Sequence, residues 1–366
     1  MGRPKMKIID KYIMKKFLTT FFVSLLLIIV IVVVFDLSEK LNKFIQKEVP
    51  LIEIVRDYYL NFIPYFINMF SPLFVFITVV FFTSKMAANS EIIAILSGGI
   101  SYKRMLVPYM ASAAIIALLS LGLNMYIIPR ANAVRVPFEQ KYTSSRSNAD
   151  FNRRNIHYQI APGQFVYVES FYSWNNTANR MTVESIVDNE LVSKLSCESA
   201  TWDSTAGCWH MRKWTRRDYK SALSEQISSG PAKDTVLALT VDDFYRNDKT
   251  VQTLTMKQLD QLIDTQNMRG DPNVMYALIE KNRRFTLPFS AFILTIMGVS
   301  LTSRKRRGGI GWNLALGIGL AFLYILFLRF SEMFVYTGAL PAGLALWLPN
   351  FVYIIIAAFL YRIAPK

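Results

Sequence analysis

Lys40, Lys43 and Lys47 fall within about 60° of one another on a helix that turns about 100° per residue, beside an apolar face of Leu37, Leu41 and Phe44. Three ammonium groups in a row at the edge of an apolar segment have the chemistry to hold anionic headgroups. Glu39 and Glu48 lie close by, so an ordinary solvated face is the competing reading. A second constellation follows at Asn89-Ser90-Glu91, which opens an apolar stretch, Ile92 to Leu96, that Gly98-Gly99 closes. It reads as a two-turn helix, flanked by Lys85, Lys103 and Arg104. Exposed isoleucines want a partner. A docking helix and a simple continuation of the preceding span fit this stretch equally well.

Catalytic chemistry has little to stand on. The chain contains no G-x-x-x-x-G-K-[ST], and Gly308-Gly309-Ile310-Gly311 lacks the lysine of a phosphate loop. His157 and His210 sit in strand-like patterns with no nucleophile arranged around them, and two histidines are a poor basis for a metal centre. Cys197 and Cys208 flank a turn at 203–207 that sets Trp202 opposite Cys208. Cys197 is then five residues further along its strand, on the order of 17 Å away. That is beyond bridging distance, so two free thiols are expected.

The elements that carry these residues follow from composition. Of 366 residues, 52% are hydrophobic and 18% charged, against about 25% charged in soluble domains. The apolar residues come in runs. A membrane-spanning helix needs roughly 20 of them, and six runs qualify, near 17–35, 58–83, 105–128, 285–302, 312–330 and 340–361. The first is too long for a cleaved leader and reads as a retained span. Pro64 and Pro72 are expected to kink the second.

Between the third and fourth runs lies a polar stretch with short period-two segments, among them Gln164–Phe171, Met181–Val187, Ser193–Trp202, Cys208–Tyr219 and Thr235–Val241. Ala-Pro-Gly at 161–163 and Asp-Ser-Thr-Ala-Gly at 203–207 punctuate them. An antiparallel sandwich, jelly roll or partial barrel is expected. Thr255-x-x-Gln258 is a capping box for a helix to about Asn267, and a second helical stretch, Asn273 to Arg284, leads into the fourth span. The chain divides at 1–129, 130–284 and 285–366 in a three-plus-three arrangement around the insert.

The net charge of +15 is unevenly spread. The segments on the side of the termini, including the Arg304–Arg307 cluster, hold 15 basic residues against Asp10 and Glu91. The positive-inside rule then puts both termini in the cytoplasm and the polar insert outside. Basic segments that alternate with membrane spans exclude a nucleic-acid groove. Arg329 lies near the outer end of the fifth span, where an ionisable residue is a functional candidate or the simple i+3 partner of Glu332.

Several segments together resemble the LptF/LptG (YjgP/YjgQ) family of lipopolysaccharide-export permeases. They are Ile9-Asp10-Lys11-Tyr12-Ile13, Ser90-Glu91-Ile92 with Ser97-Gly98-Gly99-Ile100, and Gly163-Gln164-Phe165-Val166-Tyr167-Val168-Glu169, within the three-domain-three layout. The Asp-Lys-Tyr-Ile start looks more like the LptG branch. The resemblance implies a polytopic α-helical protein of the bacterial inner membrane, with six transmembrane helices and an inserted periplasmic antiparallel β-jellyroll domain. It implies an ABC-exporter permease without catalysis of its own. Such a permease pairs with a second LptF/LptG-type subunit, an LptB-type ATPase dimer that binds ATP-Mg, and LptC- and LptA-type periplasmic bridge proteins. No cofactor is expected in this chain.

The same resemblance assigns the loop about 89–99 as the coupling helix, with Ser90, Glu91, Ile92, Leu96, Gly98 and Gly99. It sets Lys40, Lys43 and Arg329 near the phosphates of lipid A, joined by Lys47 from the helical stripe and by Arg130 and Arg135, which match in type. Asp36 stands where some members have a lysine. From other functional classes, an ion-coupled lipid transporter predicts carboxylates or broken helices at mid-membrane, which the spans almost lack. A membrane-anchored envelope scaffold would make the β domain the working part.

Overall fold

The computed structural model describes residues 7–143, 152–221, 224–245, 248–271, 273–303 and 309–364. The Arg304–Arg307 cluster lies outside them. Two compact units emerge, one of residues 1–135 with 278–366 and one of residues 136–277.

Among the described residues, six helices are long and apolar enough to cross a membrane. Helix α1 (Ile8–Gln46) runs unbroken for 39 residues because it contains no Gly or Pro. It outruns the expected span at both ends. A tight turn with Glu48 at φ +50° and Pro50 as N-cap leads into α2 (Leu51–Ala88). Helix α2 continues through Pro64 and Pro72. Its irregularity is a π-helical stretch at Ile54–Tyr59, just ahead of Leu60, whose carbonyl the Pro64 ring would otherwise crowd. The short α3 (Glu91–Ser97) is followed by α4 (Tyr102–Thr143), with a π-helical stretch at Leu123–Ile127.

Helix α2 is the axis of the first unit. Toward α1 and α4 it sends Val75, Val79 and Phe82 into one apolar cluster, where the Phe82 ring stacks on Tyr109 at 5.2 Å and meets Phe17 at 5.6 Å. Its other face sends Phe76 and Val80 into a second cluster with Met297, Tyr324 and Tyr353. Those residues lie on α8 (Val274–Thr302), α9 (Gly309–Tyr336) and α10 (Ala342–Ile363). Two glycines permit the close approach. A Cβ on Gly298 or Gly317 would stand 2.9 Å from a methyl of Val79 or Val80, respectively. Small residues at helix crossings serve this purpose in membranes, where no water drives the helices together.

The second unit is a six-stranded antiparallel sheet: β1 (Asn152–Ala161), β2 (Gln164–Tyr172), β3 (Thr177–Val187), β4 (Glu190–Asp203), β5 (Cys208–Ser221) and β6 (Ser224–Thr235). An inserted antiparallel β domain is thus present. Its described strands pair strictly in chain order, a meander of neighbouring strands, whereas jelly-roll connections include Greek-key crossovers.

The expected last strand, Thr235–Val241, is a correction. The strand at that edge is β6, and the chain beyond it turns into α5 (Val241–Tyr245). Leu239 and Phe244 fold beneath the sheet instead, Phe244 stacking on Phe171 at 4.2 Å and the Leu239 carbonyl accepting the Trp209 indole N–H at 2.7 Å. The core needs a floor there, and a buried indole needs an acceptor. After α6 (Asp248–Val251), the predicted capping box opens α7 (Met256–Met268), with the Thr255 N–H donating to Gln258 Oε1 at 2.9 Å.

The hairpin register differs by one residue from expectation: Trp202 faces Trp209, and Asp203 faces Cys208. Cys197 pairs instead with Trp214. Both cysteines are free thiols. Burial pushes the Cys197 thiol up to about 11, partly offset by its bond to the Met181 carbonyl.

Candidate functional site

The C-terminal turns of α1 meet the start of α2 in a polar knot. Lys40 donates to Asp36 Oδ1 at 2.7 Å and to the Tyr58 hydroxyl. The Tyr58 and Tyr59 hydroxyls donate to the two oxygens of Asp36 at 3.2 and 3.3 Å. The i,i+4 spacing on α1 aligns Asp36 beneath Lys40, and the π-helical stretch turns both tyrosines of α2 toward them. By sequence, Asp36 departs from the family pattern. In the structure it is the residue that orients Lys40.

An aromatic ladder leaves this knot along α2. Tyr58 stacks on Phe62 at 5.7 Å, Phe62 meets Phe66 at 5.6 Å, and Phe66 meets Phe70 at 4.5 Å. Lys40 Nζ lies 4.5 Å from the centroid of Tyr58 and 6.0 Å from that of Phe62. Arg135 approaches the same Phe62 ring at 6.0 Å and covers Tyr65 at 4.3 Å. Cation–π contacts gain when partly desolvated, and Arg135 is buried. One phenyl ring thus gathers two cations, from α1 and α4, no more than about 12 Å apart. Lys43, Lys47 and Arg130 are exposed. Lys47 is the C-cap of α1.

Arg329 stands apart from this pair. It bonds Glu332 at 3.1 Å, as the i+3 spacing predicts, and reaches Met69 Sδ of α2 at 3.9 Å. Glu332 also accepts from Arg283 at 2.8 Å. Glu280 in turn accepts from Arg284 at 3.0 Å and contacts Arg283 at 3.5 Å. Five charges from α8 and α9 therefore form one chain of ion pairs, in which the Arg284 side chain is 1% exposed. Sequence reasoning missed it. The Glu280-x-x-Arg283-Arg284 spacing was the available signal.

The loop assigned to coupling is a separate helix rather than a continuation of α2. Ser90, at φ +61°, breaks the path, and its hydroxyl makes no capping bond. Gly99, at φ +81°, ends α3 with its N–H on the Leu96 carbonyl, while Gly98 donates to Ala94. Ile92 is fully buried and Leu96 half-buried in the α1–α2–α4 cluster, so both are anchors. Ile93, 56% exposed, is the apolar side chain presented outward. Glu91 is engaged internally: it accepts from the Tyr12 hydroxyl at 3.0 Å and lies 3.7 Å from Lys16. Nearby, Arg104 makes a two-pronged bond to Asp10 at 2.8 and 2.5 Å. The only two acids on the basic side thus each fasten the start of α1.

In the β unit, His157 faces Tyr167 across the strands at 4.7 Å, and His210 bonds Asp234 at 2.5 Å on an exposed face. Neither meets a nucleophile in these contacts. No cluster of three or more potential metal ligands occurs among the described residues.

No curated protein matches the chain. A family model described as lipopolysaccharide export system permease LptF/LptG matches residues 11–363, without separating the two branches. That match takes in the six apolar helices and the inserted antiparallel sheet together. The chain therefore belongs to the LptF/LptG family of lipopolysaccharide export permeases, multi-pass inner-membrane transport subunits that are not themselves enzymes.

Proposed function

We propose that this chain is one of two permease subunits in an ATP-driven exporter that takes lipopolysaccharide from the outer leaflet of the inner membrane. An LptB-type ATPase dimer binds ATP-Mg and docks on α3 from the cytoplasm. The second subunit is another LptF/LptG-type permease. The β domain, in the periplasm with both termini on the opposite side, hands the lipid to LptC- and LptA-type bridge proteins.

One observation supports this reading above others. The apolar windows of α1 and α9 are 17% and 28% buried within the chain, the lowest values among the described spans. They lie below 33% for α10 and 39% for α4, and far below 61% for α2 and 72% for α8. Helices α1 and α9 are the first and fifth spans, and both contact the α2 axis. Facing their counterparts in a second permease, they enclose an apolar cavity that six helices alone cannot. The knot of Lys40 and Arg135 then lies at headgroup level, where each partly desolvated charge–phosphate bond contributes on the order of 1–3 kcal/mol. The ladder from Tyr58 to Phe70 offers acyl chains a surface below it.

An ion-coupled mechanism finds less support. The polar cluster between α2 and α4 is neutral: Asn68 and Asn124 bond at 2.8 Å, and Ser120 donates to Asn68 at 2.6 Å. The carboxylates of the α8–α9 chain, Glu280 and Glu332, are both ion-paired with arginines. Co-expression with an LptB-type ATPase tests the proposal. The ATPase should copurify, and lipopolysaccharide should stimulate its hydrolysis in nanodiscs. A complex that forms but ignores lipopolysaccharide would favour a scaffold.

A further inference from the structure

A groove of about 650 Å³ opens between α4, α8 and α10, lined by none of the residues of the cation knot. Its walls are apolar, with Leu106, Phe292, Ile296 and Ala358 among them. Its polar boundary lies at one end, where Lys103 and Arg362 line it. Both are exposed. Among the described residues neither bonds a carboxylate, in contrast to the neighbouring Arg104, which Asp10 neutralises. Tyr361 marks the same end and packs against Tyr102 at 5.7 Å, a pairing typical of a membrane–water boundary.

We infer that this groove holds one anionic glycerophospholipid of the leaflet nearest the chain termini, its phosphate between Lys103 and Arg362 and one acyl chain along the α8 wall. From Arg362 to Ile354 the α10 wall runs eight residues, about 12 Å at helical rise. That approaches half of a hydrocarbon core of about 30 Å, the reach of one leaflet. Basic pockets between spans at the cytoplasmic boundary recognise anionic headgroups by this combination of a charged rim and an apolar bed. The occupant is a bilayer lipid rather than transported cargo, and the inference is independent of what the permease carries.

Native mass spectrometry of the full chain in detergent tests it, with phosphatidylglycerol and phosphatidylcholine of identical acyl chains as probes. The parent should retain phosphatidylglycerol with about tenfold preference. Lys103→Ala with Arg362→Ala should bring the two lipids to within about twofold, while Lys103→Arg with Arg362→Lys, which retains both charges, keeps the preference. Ala358→Trp should fill the bed and lower retention of both lipids. Equal retention of the two lipids by the parent overturns the inference, as does an unchanged preference in the double alanine variant. Should Ala358→Trp fail to fold, the two rim variants decide alone, because exposed side chains at a helix end bear little on folding.

Discussion

Asp36 and Lys40 lie one turn apart on α1 and bond at 2.7 Å, with the Tyr58 hydroxyl in contact with both. The carboxylate therefore holds the ammonium in place and offsets its charge. A lipid phosphate at this site has to share Lys40 with a carboxylate. Asp36→Asn keeps the shape and removes the competing charge. Binding of fluorescent lipid A to the assembled transporter should tighten about fivefold, the equivalent of ~1 kcal/mol per cation at a membrane surface. Weaker binding in this variant would show that orientation of Lys40 outweighs its neutralisation.

The stripe itself is tested by reversal. Lys40→Glu with Lys43→Glu should cut lipopolysaccharide crosslinking from a photoreactive residue at position 41 by tenfold or more, with subunit assembly and basal hydrolysis intact. Leu41 is a suitable reporter because it is 45% exposed, whereas Phe44 is buried against Tyr58. An unchanged crosslinking yield rules out the stripe as a headgroup site.

At the other end of the helix, Glu91→Lys should break the link to Tyr12 and oppose Lys16 with a like charge. ATPase copurification should fall several-fold while membrane insertion stays normal. Ile93→Asp should lose the ATPase to a similar extent with an unchanged unfolding temperature, since Ile93 packs on little within the chain. Ile92→Asp, by contrast, should destabilise the protein itself, because that side chain is fully buried.

The ion-pair chain of α8 and α9 predicts an asymmetry between single and double replacement. Glu280→Gln removes the carboxylate to which the buried Arg284 donates and should cost about 3–5 kcal/mol in detergent unfolding. Glu280→Leu with Arg284→Met should cost far less, since it leaves no unpaired buried charge behind, Arg283 keeping its bond to Glu332.

The thiols give a test of the sheet. Cys197, held protonated well beyond neutral pH by burial, should resist maleimide at pH 8 in the native protein. After denaturation without reductant both Cys197 and Cys208 should alkylate. A Cys197–Cys208 bridge in the native protein would contradict the register that sets Cys208 opposite Asp203.

The six spans were legible because long apolar runs permit few other structures in 366 residues. The ends of α1 were less so, since Asp36 to Gln46 is amphipathic and looks like a separate element. Strand β6 was invisible for a physical reason. It is a polar edge strand with hardly any buried face, and its Gly230-Pro231 step reads as a turn. Gly230 is there because a Cβ would come 2.9 Å from the Trp214 ring, a constraint visible only once the strands pair. Leu237, Leu239 and Val241 alternate like a strand while serving as the floor of the core. Period-two patterns locate strands but leave turn length open, hence the one-residue shift at 203–208. In the candidate site, the stripe of Lys40 and Lys43 was readable from helical spacing. The meeting of Lys40 with Arg135 over Phe62 was not, because residues far apart in the chain converge there only through the packing of three helices.

Helix α1 also has a mechanical meaning. Tyr12, fastened to α3 through Glu91, and Lys40, in the polar knot, lie on one helix without a proline or glycine between them. Twenty-eight residues separate them, about 42 Å at helical rise. A hinged segment would absorb a push at one end. An unbroken strut delivers it to the other, so a small displacement of α3 can reach the lysine across the full thickness of the bilayer with no rearrangement in between.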